Sequence, residues 1–448
     1  MWWPEHIPTW AKLESVIRAD LVIVGGGLAG LAAAYYAASA DPDLTIVVLE
    51  AEFVGAGATG RSTGIVSPGL SIPLPWLRRR LGDRVTAEAF DASQHGVDRL
   101  REIVTTERID CDARDEPHTL VAVTGSDQRR MAAHLRALNR LDRPVRWLTR
   151  DEVTEHAGAG YVAGFAYDNA MVVDPYRLAV GLADVLRGRG VRVYEGSRVL
   201  SLDTDAGRPR AITAAGSVTA RRILLTVDGY GGELNPMRSS VVPIRTHLLA
   251  TEPLAGDQLA ALGWNGRGGI IDQRNFFNYY RMTADKRLVF GGGPALVPGG
   301  DPRRDAAASD RVQRRVDIEL LQRFPALSGV EIAARWSGLT ASSIDRLPVV
   351  GAVPGRDGVY YAGAWCGHGF AMSVDTAWRL ADMLTGGSRP RLPWYRSTAQ
   401  RIPTRFARTN GVRGYLQYLD RLDRYRVRRE TARRHVRTEH RTVEGQPQ

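Results

Sequence analysis

The stretch Asp20-Leu-Val-Ile-Val-Gly-Gly-Gly-Leu-Ala-Gly-Leu-Ala-Ala-Ala-Tyr-Tyr constrains this chain more than any other. Leu21 to Val24 is an apolar run that predicts a buried strand. Gly25, Gly27 and Gly30 follow with G-x-G-x-x-G spacing, and Leu31 to Ala40 predicts a helix. In such a unit the first glycine permits a tight turn. The second lets a pyrophosphate approach the backbone, and the third lets the helix pack on the strand. Leu28 and Ala29 open the helix, where N–H groups and the positive dipole end favour phosphate. A second strand, Leu44 to Leu49, runs into Glu50 and Ala51. An acid there accepts hydrogen bonds from a ribose diol and repels a 2′-phosphate.

The segment from Ala51 to Leu70 is rich in small residues, which suits close approach of a flat group. Within it Thr59, Gly60, Arg61 and Ser62 offer donors to a phosphate or a ring edge. A second strand–glycine–helix junction stands far downstream. Val359 to Gly363 predicts a strand, Gly367-His368-Gly369 a turn, and Ala371 to Leu384 a helix. Two such junctions suit a long ligand with two polar ends, and FAD fits better than NAD. The first holds the pyrophosphate; the second offers N–H groups to the pyrimidine edge of the flavin.

Between the junctions, helical spacing predicts helices over 84–108 and 127–141, and a third beginning at Asp174-Pro175. Strands are predicted at Val191 to Glu195, Arg198 to Leu202 and Arg222 to Val227. From Val241 the texture changes. Val241 to Thr251, Asn275 to Met282 and Arg287 to Phe290 alternate, as antiparallel strands do, and a helix is predicted over Asp310 to Phe324.

With these motifs the chain resembles the FAD-dependent amine and amino acid oxidoreductases of the D-amino acid oxidase superfamily, from about Ala19 to Leu384. The markers are the glycine turn, Leu49-Glu50, Gly57-Ala-Thr-Gly-Arg-Ser-Thr-Gly, Val172-Val-Asp-Pro-Tyr-Arg-Leu, Trp336-Ser-Gly-Leu-Thr, Asp345-Arg-Leu-Pro-Val-Val-Gly and Gly367-His-Gly. Pro243-Ile-Arg-Thr-His-Leu-Leu-Ala-Thr-Glu-Pro-Leu and the run from Tyr279 to Gly292 resemble the gamma-glutamylputrescine oxidase and glycine oxidase-like branch.

The resemblance implies an α/β protein with an α+β second domain. A Rossmann-type, glutathione-reductase-like FAD domain comes from 1–80, 150–235 and 331–387. A mixed antiparallel sheet from 81–149 and 236–330 roofs the substrate pocket, and 388–448 forms a basic tail. It implies hydride transfer from a carbon bearing an amine to flavin N5, followed by hydrolysis of the imine. Residue by residue, it assigns the two glycine junctions, Glu50, and Thr59 to Ser62 to FAD. Val199 is assigned to backbone contact with adenine. Arg281 and Tyr280 are expected at the substrate, with Arg281 gripping a carboxylate. His247 and His368 are the candidate catalytic side chains. Where relatives carry a covalently linked His or Cys, this chain has Gly64 and the run Ser337-Gly-Leu-Thr. FAD is therefore expected to be noncovalent, with Cys366 the remaining position for a thioether.

Charge and composition bound the partners. The net charge is +11, and residues 388–448, with 16 arginines and five acids, account for all of it. Arg401 to Arg441 mixes this charge with apolar residues at helical spacing. Such a helix can pack on the body, lie on an anionic membrane, or bind RNA. RNA is the weakest of these, because the body has no matching basic face. No apolar run approaches the ~20 residues of a bilayer span, and Met1 to His6 lacks a signal-peptide pattern. Two distant cysteines, Cys111 and Cys366, suggest a reducing compartment. The expectation is a cytoplasmic protein, free or peripheral to the inner membrane face, with no metal site. A small amine or amino acid is its substrate, and O2 or a quinone its electron acceptor. A nucleic-acid-associated flavoprotein and a noncatalytic subunit of a multi-chain oxidase are the alternatives.

Overall fold

In the computed structural model, which describes residues 10–204, 207–388, 390–404 and 406–443, the strand Leu21–Val24 is buried along its whole length. It lies in a six-stranded sheet whose order is Arg192–Tyr194, Ile46–Leu49, Leu21–Val24, Arg222–Leu225, Val359–Gly363 and Val349–Ala352. The first five strands run parallel and the last antiparallel. Their apolar runs reflect burial on both faces, as parallel sheets require. Helices Leu28–Ala40, Pro175–Gly188 and Gly369–Thr385 cover the face that carries Leu21 and Ile23, and Leu13, Ala211 and Val218 pack on the face that carries Val22 and Val24. Asp174 caps the second of these, accepting hydrogen bonds from the N–H groups of Tyr176 and Arg177 at 3.0 and 2.9 Å.

A second, eight-stranded sheet has the order Ile332–Ser343, Val241–Thr251, Leu288–Leu296, Tyr279–Met282, Gly269–Asp272, His118–Ala122, Ala163–Tyr167 and Arg146–Leu148. All of its neighbours are antiparallel except Gly269–Asp272 with His118–Ala122. One face is covered by helix Pro302–Arg323, with Tyr280, Leu249, Phe290, Val316 and Phe324 in a shared apolar cluster. The other face looks toward the six-stranded sheet.

Several expectations change. Ala163–Tyr167 and most of Ile332–Ser343, expected in the cofactor domain, are hydrogen-bonded into the eight-stranded sheet. A buried apolar run does not declare which sheet will take it. The strand expected at Arg198 to Leu202 is Ser201–Asp203, in a small side sheet. The helix expected over 84–108 runs Leu74–Thr106, bent at Gly82, whose φ is 80°. The helix expected over Asp310 to Phe324 starts earlier, at Pro302, capped by Asp301.

The tail is tied to the body from its start. Trp394 is buried, and Arg396 pairs with Asp345 at 2.5 Å. The helix Val412–Val443 packs its first turns on the second sheet, with Val412 and Leu416 against Val242 and Val297. Asp423 accepts from Asn275 Nδ2 at 2.7 Å and the Phe276 N–H at 2.9 Å, and Arg413 donates to the Val297 carbonyl at 2.8 Å. Tyr415, Tyr418 and Tyr425 stay exposed on the outer side.

Candidate functional site

The two glycine junctions meet along one edge of the parallel sheet. Leu21–Val24 and Val359–Gly363 flank Arg222–Leu225 and run the same way, so the turns after both lie at the same carboxyl edge. Two strand spacings separate them, about 10 Å. This is where open parallel sheets bind ligands.

At the first junction Gly25 has a φ of +115°, and a Cβ there would lie 2.9 Å from the Thr226 carbonyl oxygen. A Cβ on Gly30 would come within 2.1 Å of the Gly25 oxygen. Gly27 occupies the N-cap of the helix and brings no side chain to cap it. Thr59 fills part of that role, accepting from the Leu28 N–H at 2.9 Å; the Ala29 N–H follows in the same first turn. Glu50 accepts from the N–H groups of Gly26 at 2.7 Å and Glu52 at 2.9 Å, and Ala51 adds a further backbone donor. Burial raises the carboxyl of Glu50 and these donors lower it. Val199 packs in the same apolar cluster as Leu49, at the end of the sheet where Glu50 sits.

From Thr59 the chain crosses to the second sheet. The short helix Ala58–Arg61 includes Gly60, and Ser62 donates to the Thr59 carbonyl at 2.9 Å. Arg61 Nη1 donates to the Ser337 carbonyl at 3.2 Å, and Trp336 Nε1 donates to the Arg61 carbonyl at 2.9 Å.

At the second junction Gly363 ends its strand, and Ala364, Cys366 and Gly367 all have positive φ. His368 stands at the N-cap of helix Gly369–Thr385 with no side-chain cap. A Cβ on Gly367 would meet nothing within 4 Å. Asp228 fixes this turn: its carboxylate accepts from the N–H groups of Ala364 and Ala341, each at 2.9 Å. The residues thus form two backbone cradles at two helix N-termini on one edge. That fits an extended dinucleotide such as FAD, with Glu50 on the ribose side.

The second sheet redistributes the expected substrate residues. Tyr280 and His247 point to the helix-covered face. The Tyr280 hydroxyl donates to the Ala157 carbonyl at 2.8 Å and lies 3.0 Å from that of Tyr161, with its ring stacked on Phe290. His247 Nε2 bonds Ser309 Oγ at 2.6 Å. The pleat turns both away from the cofactor edge. Arg281 points to the correct face but is fully buried. It donates to the carbonyls of Thr63 and Val173, the latter at 2.6 Å, and burial pushes its guanidinium down to about 10. It ties the crossing segment to the sheet.

Two side chains on the cofactor-facing side went unnoticed in the sequence. Tyr279 shares an apolar cluster with Leu248, Val289 and Trp336. Strand alternation says that Tyr279 and Tyr280 face opposite ways but not which faces the cofactor. His118 opens its strand, buried at 4 % exposure. A lone histidine in an apolar strand carries no sequence signal.

Comparison with known proteins agrees with this geometry. The chain is 29 % identical over 406 residues to gamma-glutamylputrescine oxidoreductase of Escherichia coli (strain K12), covering 87 % of this chain and 91 % of that one. It is 26 % identical over 383 residues to a glycine oxidase of Bacillus licheniformis, covering 82 % and 94 %. The fold resembles that of L-proline dehydrogenase from P. horikoshii, with a TM-score of 0.68 at 17 % identity over 85 % of this chain and 97 % of that one. The family model described as FAD dependent oxidoreductase matches residues 20–383, which takes in both glycine junctions and the sheet between them. With both cradles and the intervening roof inside that match, the chain belongs to the DAO family of FAD-dependent oxidoreductases.

Proposed function

We propose that this protein oxidises a C–N bond of a small amine or amino acid. When bound, FAD supplies the acceptor for the hydride that leaves the carbon bearing nitrogen. The protein's part is to hold the substrate between the crossing segment 59–66 and the roof around Tyr279 and Trp336, and to exclude water there. The observation that carries the reading is the pair of backbone cradles on one sheet edge, roofed by the second sheet. Because Arg281 spends donors on backbone carbonyls, an amine without an α-carboxylate is favoured over an amino acid. The E. coli relative is named for a putrescine derivative, an amine of that kind at its putrescine end. The test is anaerobic addition of amines and amino acids to the FAD-loaded protein. Loss of the flavin absorbance with at least one amine is expected, and no response to any would overturn the reading. Repeating it in air with peroxide detection separates O2 from a quinone as acceptor.

The flavin is held without a covalent bond. Gly64 has no side chain to offer, and Cys366 Sγ is engaged with the Ala364 carbonyl at 3.1 Å. Acid precipitation should leave the yellow colour in the supernatant.

The tail helix touches an anionic membrane surface with its outer side. Exposed Tyr415, Tyr418 and Tyr425 stand among Arg421, Arg424, Arg428 and Arg429, the mixture that suits a headgroup layer. No helix among the described residues is long and apolar enough to cross a membrane. Co-sedimentation with phosphatidylglycerol vesicles should fall when Arg421, Arg428 and Arg429 become glutamine; equal binding would dismiss the contact.

A further inference from the structure

The strands Val241–Thr251 and Leu288–Leu296 are not evenly paired. Arg245 pairs with Leu296 and His247 with Gly292, so Thr246 alone stands opposite Gly293, Pro294 and Ala295. Pro294 has no N–H to give to a ladder, and Gly293 has a φ of +71°. A bulge of this kind bends its strand away from the partner. Between this segment, the helix Pro302–Arg323 and the first turns of the tail helix Val412–Val443 lies a cavity of about 350 Å³. Two residues before His247, Arg245 reaches it from the same helix-covered face, away from the cofactor edge.

The walls combine apolar side chains, Leu296, Val297, Ala308 and Leu416, with charged ones. Arg245, Arg304, Arg311 and Arg413 line the cavity against two acids, Asp305 and Asp420. Both acids are already engaged. Asp305 accepts from the N–H groups of Gly299 and Gly300 and pairs with Arg413 at 3.3 Å, and Asp420 pairs with Arg424 at 2.6 Å on its own helix. Arg413 also donates to the Val297 carbonyl, and Arg304 pairs with Asp301 at 3.5 Å. Arg245 and Arg311 are left over. Arg245 Nη1 donates to Ser337 Oγ at 3.0 Å, and neither guanidinium pairs with a carboxylate among the described residues. Such a cavity repels a cation, and a neutral apolar molecule leaves both guanidinium groups unanswered. An anion on an apolar body satisfies the charge and the walls together. The volume lies at the lower end for small-molecule sites and has no room for the two acyl chains of a membrane lipid.

We propose that this cavity binds a small organic anion, a carboxylate or phosphate ester carried on an apolar body. Arg245 and Arg311 take the charged end, and Leu296, Val297 and Leu416 surround the body. The site is separate from the cofactor edge and does not depend on the amine chemistry. Because the tail helix supplies one wall, an occupant bridges the tail and the second sheet.

The experiment titrates the FAD-loaded full chain by calorimetry with hexanoate and with hexyl phosphate. Acetate, which lacks the body, and 1-hexanol, which lacks the charge, are the controls. At least one of the two anions should bind saturably, and both controls should bind about tenfold or more weakly, since the buried chain and the charged hydrogen bonds contribute separately. Arg311 is exposed on its helix, so Arg311→Gln should keep the flavin while weakening the anion about fivefold or more. Arg311→Lys, which keeps the charge, should recover part of the loss. Ala308→Glu, which sets a carboxylate among the walls, should abolish binding, as should Arg245→Gln combined with Arg311→Gln. No saturable binding of either anion, equal binding of acetate or 1-hexanol, or binding that none of these variants weakens would overturn the site. Failure of both anions leaves amine oxidation standing, and failure of every amine to reduce the flavin leaves the anion site standing.

Discussion

Asp228 shows how one side chain can hold two sheets in register. It sits just beyond the strand Arg222–Leu225 at a φ of 36°, with its oxygens on the N–H groups of Ala341 in the roof and Ala364 in the cofactor turn. Burial pushes its carboxyl up to about 6, against the pull of those donors. A carboxyl that binds its proton more tightly in the folded chain makes that chain less stable as pH rises, between about pH 4 and about pH 6. Asp228→Asn should flatten that slope. It should also cost about 1–3 kcal/mol, because an amide N–H must then face one of the two backbone donors. Thermal melts at a series of pH values check both, and a slope unchanged by the substitution would refute the assignment. Nothing in the sequence around Asp228 reveals this. The glycine turn, by contrast, was legible at Gly25 and Gly30, because both answer to a steric demand of the backbone around them. Arg281 lay between these cases: its strand was legible, its carbonyl partners were not.

For elements, legibility followed the distance of the partner. The helix beginning at Pro175 was readable from its own cap, and the strand Val359–Gly363 from its own apolar run. Ala163–Tyr167 and Ile332–Ser343 were misassigned, because hydrogen bonds to remote strands decide their sheet. The first strand–turn–helix unit allows a sharp test of local demand. A Cβ on Gly30 would strike the backbone oxygen of Gly25 at 2.1 Å, which cannot rotate away. On Gly27 it would meet Thr59 Oγ1 at 3.1 Å, a side chain that can. Gly30→Ala should therefore cost about 3 kcal/mol or more and yield flavin-free or insoluble protein. Gly27→Ala should keep the fold and weaken FAD binding. Melting temperatures and FAD titration separate the two; a Gly30→Ala protein that binds FAD normally would contradict the packing described.

Across the whole molecule, the roof is fastened to the floor by buried and half-buried bonds, among them Trp336 to Arg61, Arg281 to Thr63 and Val173, and Asp228 to both sides. The cleft is thus a property of the finished assembly, and its composition gave no hint of it. The interleaving also has a consequence in time. The strand Arg222–Leu225 stands between Leu21–Val24 and Val359–Gly363, so the sheet closes only after the last of them has been made. At ~5–20 residues per second a ribosome needs about 20–70 s to travel from the first glycine turn to the end of the helix Gly369–Thr385. Through that interval one edge, first of Leu21–Val24 and then of Arg222–Leu225, has no neighbour and is open to pairing with other chains. A nascent chain can grip one end of FAD at most. Both ends of the cofactor can be held only once the second turn has been made, so the strand that closes the sheet also completes the cradle.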